Sequence, residues 1–412
     1  MTMKVRALWV AVVVVGTMWL AGCGHYVCST TFGASSCTPS GGGISQGPGS
    51  GSNGQTAFIF FIDNNATQGG FPGQMAAEGA NVSNSGTFAP ISSFASPTFT
   101  GATGVGSGMV VVNKKYLYIP FTGGLLFGYS IDPGSGALTG LLNSPYTISG
   151  GTSIVADPKG RFLFVGDSSG ISTFIVNADG SLGANSQSPF STGGITPVTM
   201  TTDGTGKFLY IADGGGVIAY AYDQVAGSLS PLGGSLAAAT FNFPMIQVVG
   251  ESTGKYLVGI TGASGATDNT VHVFSIAQTG TAGALTEVAN SPFTTTYAPV
   301  FVVTSPSGDF VYTFNETTSQ IGTTIAPMEG FTLDTTSGAL AELPTVSPFP
   351  TLLGQVGAFD QTGTYLFLIG EEPNSTITGT TALSFSSSNG ALGANFPYAG
   401  APSFIFAVTD EP

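Results

Sequence analysis

The chain has 412 residues, of which 62 are Gly, about twice the usual share, while Asp, Glu, Lys and Arg together supply only 7%. With 42% apolar and 11% aromatic residues it can bury a large core, which excludes a coiled coil and a disordered chain and favours β-structure. Eight cations face 22 acids, a formal net charge of −14, so nucleic acid is a poor partner.

The chain opens on a targeting signal. Lys4 and Arg6 precede fourteen uncharged residues, 7–20, and then Ala21, Gly22 and Cys23. This is the layout of a secretory signal. At 1.5 Å per helical residue the apolar run reaches about 21 Å, short of the roughly 30 Å hydrocarbon core a resident span must cross. Leu20, Ala21, Gly22 and Cys23 resemble a bacterial lipobox. That resemblance implies cleavage before Cys23 and lipidation of its thiol; the alternative is an ordinary cleaved signal with Cys23 free. Acyl chains, at roughly 0.8 kcal/mol per buried CH₂, would hold the protein at a membrane surface without a spanning helix. Gly24 after the cysteine, with no Asp there, places the anchor at the outer membrane by resemblance to sorting rules. Loss of Lys4 and Arg6 leaves six cations against 22 acids, a mature charge of −16.

An exported chain meets oxidising conditions, so Cys28 and Cys37 form either a disulfide or two unpaired thiols. The bridge would close a ten-residue loop and contribute at most about 3 kcal/mol. Residues 38–54, TPSGGGISQGPGSGSNG, cannot bury a core and read as a flexible tether. Gly49 to Gly54 match GxGxxG, but no strand precedes and no helix follows, so the dinucleotide reading is set aside. The expected organisation is a signal at 1–22, a lipidated tether at 23–54 and one folded domain at 55–412.

From there an aromatic or apolar quartet recurs: FIFF from Phe58, YLYI from Tyr116, FLFV from Phe162, FLYI from Phe208, YLVG from Tyr256, FVYT from Phe310 and YLFL from Tyr365. The spacings are 58, 46, 46, 48, 54 and 55 residues, a period that signals a solenoid or propeller. An alternating run follows each quartet, such as VIAYAYD at 217–223 or VHVFSI at 271–276, and period two means strand. Each run ends in a Gly-containing hairpin turn, opened by Gly86, Gly136, Gly180, Gly227, Gly283, Gly338 or Gly390. Most units close near Ser, Pro and an aromatic, as at Ser144 to Tyr146, Ser188 to Phe190, Ser291 to Phe293 and Ser347 to Phe349.

One further run precedes most quartets, as in PVTMTTD at 197–203, so a complete unit has four strands, here A to D, the count of a propeller blade. The quartet at Phe58 has only the tether before it and lacks a strand A. The C-terminus has one to spare, PSFIFAVTD at 402–410. The expected fold is therefore all-β: a seven-bladed β-propeller of four-stranded antiparallel blades, closed by the C-terminal strand joining the first blade and leaving no free sheet edge. A β-solenoid or an open sandwich pair is the alternative. A monomer is expected.

FLFVGD at 162–167 and FLYIAD at 208–213, each followed by an alternating strand and a GSL turn, are similar to the repeats of the lactonase family of seven-bladed propellers and to YVTN-type repeats. The likeness covers about residues 56–412 and its motifs specify blades, not a reaction. It implies hydrolysis of a sugar lactone, in some members 6-phosphogluconolactone.

Antiparallel order puts the A–B and C–D turns on one rim and the B–C and D–A connections on the other. All six mature cations, Lys114, Lys115, Lys159, Arg161, Lys207 and Lys255, fall in or beside A–B turns. The opposite rim carries acids at or just past the ends of strands B: Asp63, Asp167, Asp213, Glu316, Glu371 and Glu372, with longer loops at 64–76, 261–269 and 315–328. Such carboxylates can bind a divalent cation such as Ca²⁺, which could polarise a lactone carbonyl, or they can cap turns and keep the surface soluble. His272, the one His of this domain, follows Asp268 by four residues; an Asp-oriented imidazole could be a general base, or His272 could pack beside Phe274. Asp213, Asp268 and His272 are the catalytic candidates. GDSSG at 166–170 fits GxSxG but sits in a hairpin, and no Cys or His cluster suits zinc.

Two functions follow. A binding module would hold a glycan, lactone, protein or ion on the acidic rim at the cell envelope. A lactonase would hydrolyse neutral lactones, because a phosphorylated substrate needs Arg or Lys that this rim lacks and would be repelled by the net charge.

Overall fold

Each quartet becomes the second strand of a four-stranded sheet, because its residues are apolar on both faces and need cover on both. The computed structural model describes residues 55–410 except 64–75, 84, 92–96, 98, 168, 194–196, 214–215, 233–235, 238–244, 262–268, 316–327, 344–352, 372–377 and 400–405. The signal, Cys23, Cys28, Cys37 and the tether lie outside the described residues. No helix among the described residues is long and apolar enough to cross a membrane.

Seven antiparallel sheets make the fold, with strands B at Gln55–Asp63, Tyr116–Phe121, Phe162–Asp167, Phe208–Ala212, Tyr256–Ile260, Phe310–Asn315 and Tyr365–Glu371 for blades 1 to 7. Blade 3 shows the full set: Ser153–Ala156, Phe162–Asp167, Gly170–Val176 and Leu182–Ala184. In blade 1 the order is Phe88–Pro90, Ala76–Ser83, Gln55–Asp63 and then Phe406–Asp410. The last strand pairs Phe58 with Thr409, Ile59 with Val408 and Phe60 with Ala407, so the tail supplies the missing strand A. Strands A touch one another from blade to blade around the full ring.

Alternation along strand B divides its side chains between two inter-blade cores. Phe58, Phe60 and Ile62 pack with Leu117, Ile119 and Phe121 of blade 2. Ala57, Ile59 and Phe61 pack with Tyr365, Phe367 and Ile369 of blade 7. Every strand B therefore belongs to both neighbours, which explains why so little charge is tolerated.

Two recurrent contacts fix the blades against each other. In blades 2 to 7 the glycine opening the C–D turn has a positive φ and lies on the first ring of the preceding quartet: Gly136 on Phe58, Gly180 on Tyr116, Gly227 on Phe162, Gly283 on Phe208, Gly338 on Tyr256 and Gly390 on Phe310. In alternate blades the third quartet residue is Tyr, and its hydroxyl donates to that same glycine's carbonyl, Tyr118 to Gly180 at 2.6 Å and Tyr210 to Gly283 at 2.9 Å. The Ser-Pro-aromatic marker has a separate task. Strand D is too short to cover strand C, so Ser144, Ser188 and Ser291 accept the N–H groups of Gly128, Thr173 and Val273 that it leaves unpaired, at 2.9, 2.9 and 3.0 Å. The residues after the Pro then pair with the start of strand C, as Tyr146–Thr147 do with Leu125 and Leu126.

Candidate functional site

Seven strands A facing a common axis leave seven backbone edges that no neighbouring strand completes. A cavity of about 650 Å³ lies among them, lined by strands A of blades 3 to 7 and by Ser107 and Gly108 of blade 2. That volume lies within the range of small-molecule sites. In blade 3, Asp157 N–H donates to the carbonyl of Phe162 at 2.9 Å, which fixes the register. Antiparallel alternation then turns the N–H and C=O of Ile154 and Ala156 toward the axis. The same register turns Met200, Val248, Val302 and Gly357 inward.

Some of these edge groups are met by side chains of the preceding blade. Gln247 donates its amide to the Val302 carbonyl at 3.1 Å and accepts the Val302 N–H at 2.8 Å. Gly250 N–H donates to Thr201 Oγ1 at 3.0 Å. Ile154, Met200, Val248 and Gly357 direct their amides at the cavity itself. Hydroxyls of Ser107, Thr199, Thr201 and Thr304 stand among aliphatic side chains in the lining. The ionisable residue of the described lining is Asp360, whose carboxylate accepts the N–H of Thr364 and of Tyr365 at 2.8 Å each and the Thr362 hydroxyl. Apart from that clasped carboxylate, the described lining is uncharged, dense in hydrogen-bonding groups and without a cation to meet a phosphate.

Asp360 belongs to a repeated device that the rim sorting overlooked. Five residues before a quartet, Asp157, Asp203, Glu251, Ser305 and Asp360 are buried in the A–B turns. Their side chains accept backbone N–H groups of the turn: Asp203 those of Thr205, Lys207 and Phe208 at 3.1, 2.7 and 2.7 Å, Glu251 those of Thr253, Lys255 and Tyr256 at 2.6, 2.6 and 3.0 Å. A Gly at the fourth position of each turn is the sequence signal that could have found them. Asp157 accepts the Arg161 N–H at 3.2 Å and adds the Arg161 guanidinium, Nε to Oδ2 at 2.8 Å and Nη2 to Oδ1 at 2.9 Å, and the Tyr222 hydroxyl at 2.8 Å. Burial pushes the Asp157 carboxyl up, but these donors outweigh it and hold it below the usual carboxylate range.

Of the six rim acids, Asp167 and Asp213 have described side chains. Asp167 is fully buried and clasps its own hairpin, accepting the Ser169 N–H at 2.6 Å and the Ser172 hydroxyl at 3.1 Å. Asp213 is half-buried at the end of strand B of blade 4. Asp63 and Glu371 end their strands B, and Glu316 and Glu372 lie outside the described residues. Among the described residues no group of three or more His, Cys, Asp or Glu is placed to hold a metal ion. Asp268 also lies outside them. The carboxylate beside His272 is Glu287, from strand D, with Oε1 2.7 Å from Nδ1, and the ring stacks 6.1 Å from Phe274 at an interplanar angle of 6°. His272 is buried between blades and does not line the channel.

No protein-family model matches the chain, and no curated protein matches its sequence. Solved structures do. A candidate 6-phosphogluconolactonase of Bacteroides uniformis aligns with 86% of this chain and 100% of its own at a TM-score of 0.62 and 15% identity. The periplasmic gluconolactonase of Pseudomonas aeruginosa aligns with 86% and 100% at 0.58 and 16%, and a protein from Lactobacillus plantarum with 86% and 99% at 0.60 and 16%. At such identity the likeness is one of fold: the chain shares the seven-bladed propeller architecture of these proteins.

Proposed function

We propose that the protein is an exported propeller, anchored through a lipid on Cys23 at the cell envelope, that binds an uncharged, hydroxyl-rich ligand such as a sugar or its lactone. The observation that carries this reading is the cation-free cavity lining, where inward backbone amides of Ile154, Met200, Val248 and Gly357 stand beside threonine and serine hydroxyls. Hydroxyl groups are both donors and acceptors and can satisfy such mixed edges, whereas a phosphosugar would meet no cation in the described lining and a chain of net charge −16. The acidic B–C rim, with its long loops, supplies the outer selectivity for a ligand or partner. Isothermal titration of the mature protein in detergent tests this with glucono-1,5-lactone, a neutral disaccharide and 6-phosphogluconolactone. Binding of a neutral probe and rejection of the phosphorylated one is expected; preference for the phosphorylated probe would overturn the reading.

A second reading, hydrolysis of a neutral lactone, is favoured by the fold shared with the Pseudomonas gluconolactonase and by the Glu287 carboxylate on His272. Release of titratable acid from glucono-1,5-lactone above the spontaneous rate separates an enzyme from a binder.

A further inference from the structure

The outer half of blade 5 holds three polar side chains in sequence. Glu287 Oε1 lies 2.7 Å from His272 Nδ1, and His272 Nε2 lies 3.5 Å from Thr270 Oγ1. Glu287 is itself held, accepting the Ser291 hydroxyl at 2.8 Å on the same oxygen, while Ser291 accepts the Val273 N–H at 3.0 Å. A carboxylate on Nδ1 keeps the proton of a neutral imidazole there and leaves the Nε2 lone pair toward the threonine hydroxyl. Hydroxyl, imidazole and carboxylate thus stand in the order that activates an oxygen nucleophile.

The topology places this group at the B–C end of the blade. Thr270 is the first residue of its strand C, Thr270–Ile276, so it sits on the B–C rim and is half-buried, with His272 behind it. The Phe274 ring, two residues further along the strand, stacks with the imidazole. Other blades carry different groups at the position of His272, Phe127 in blade 2 and Ser172 in blade 3, so the repeat does not demand an imidazole for packing.

We propose that Thr270, His272 and Glu287 form an acyl-transfer site for uncharged esters or lactones, an inference that rests on the hydrolytic reading above. In this step Thr270 Oγ1 bonds to the carbonyl carbon and its proton passes to His272 Nε2. The ring or ester C–O bond then breaks, and the departing alkoxide takes that proton. Water, deprotonated by the same nitrogen, cleaves the acyl-threonine and restores the hydroxyl. Glu287 acts through the imidazole and is a positioning residue.

The test uses the mature protein in detergent with p-nitrophenyl acetate and glucono-1,5-lactone. Thr270→Val and His272→Gln are expected to lower kcat by about 100-fold or more with KM little changed, and Thr270→Ser to retain activity. Glu287→Gln is expected to displace the pH profile. Mass spectrometry of the acid-quenched wild type is expected to find an acyl group on Thr270. Turnover by the wild type with no adduct on Thr270, or full activity in Thr270→Val, overturns this assignment and leaves the hydrolytic reading standing. No turnover of either probe by the wild type removes both.

Discussion

Two glycines of one hairpin separate backbone strain from blade packing. Gly280 and Gly283 both lie in the C–D turn of blade 5 with positive φ, 69° and 86°. A Cβ on Gly280 would meet nothing within 4 Å, whereas one on Gly283 would stand 2.5 Å from Leu232 Cδ1 and 2.6 Å from Phe208 Cδ1 in blade 4. An L-residue in the left-handed region costs about 1–2 kcal/mol, and overpacking a filled core a further ~1–3 kcal/mol. Gly280→Ala should therefore lose only the first amount and Gly283→Ala both, about 2–5 kcal/mol in sum. Urea unfolding followed by far-UV circular dichroism measures the pair, since both Trp residues of the chain, Trp9 and Trp19, fall in the signal. Equal losses in the two variants would refute the claim that this glycine locks one blade to the next.

Tyr210→Phe removes a buried donor from the Gly283 carbonyl and should cost about 1 kcal/mol by the same unfolding assay. Because Asp157 titrates below an unfolded carboxylate near 3.9, its contribution to stability is full above that pH and is lost as the pH falls through its lowered folded value. Acid titration should thus show the wild type converging on Asp157→Asn below about pH 4. Cysteines placed at Ile59 and Val408, which face each other across strands B and A of blade 1, should form an intramolecular bridge in a Cys23-, Cys28- and Cys37-substituted chain; intermolecular bridges alone would argue against closure. Cys23→Ser should move the protein from the membrane fraction to the soluble one, and unchanged fractionation would remove the anchor.

The blades were legible because strand B is buried on both faces, so its apolar quartets stand out wherever they fall. Closure was legible from arithmetic alone, one quartet without a strand A and one strand A without a quartet. The inter-blade locks were not: the turn glycines announce a hairpin, but the ring under each one comes from a quartet of the preceding blade, as Phe208 does under Gly283. The buried acids of the A–B turns are visible as a spacing, Asp203 with Gly206 or Glu251 with Gly254, but an acid beside a turn cation looks the same in sequence whether it is buried or solvated. Glu287 stayed hidden for a register reason. It lies fifteen residues from His272 and meets it through the pairing of Phe274 with Glu287, while Asp268 was nearer in sequence.

Ligand binding is assigned to the cavity among strands A, and one substitution closes it. Thr201→Trp places an indole in the cavity from the middle of strand A of blade 4, Thr199–Thr202. Titration calorimetry with glucono-1,5-lactone should then show binding to the wild type and none to the folded variant. Equal affinity in the two would place the ligand elsewhere.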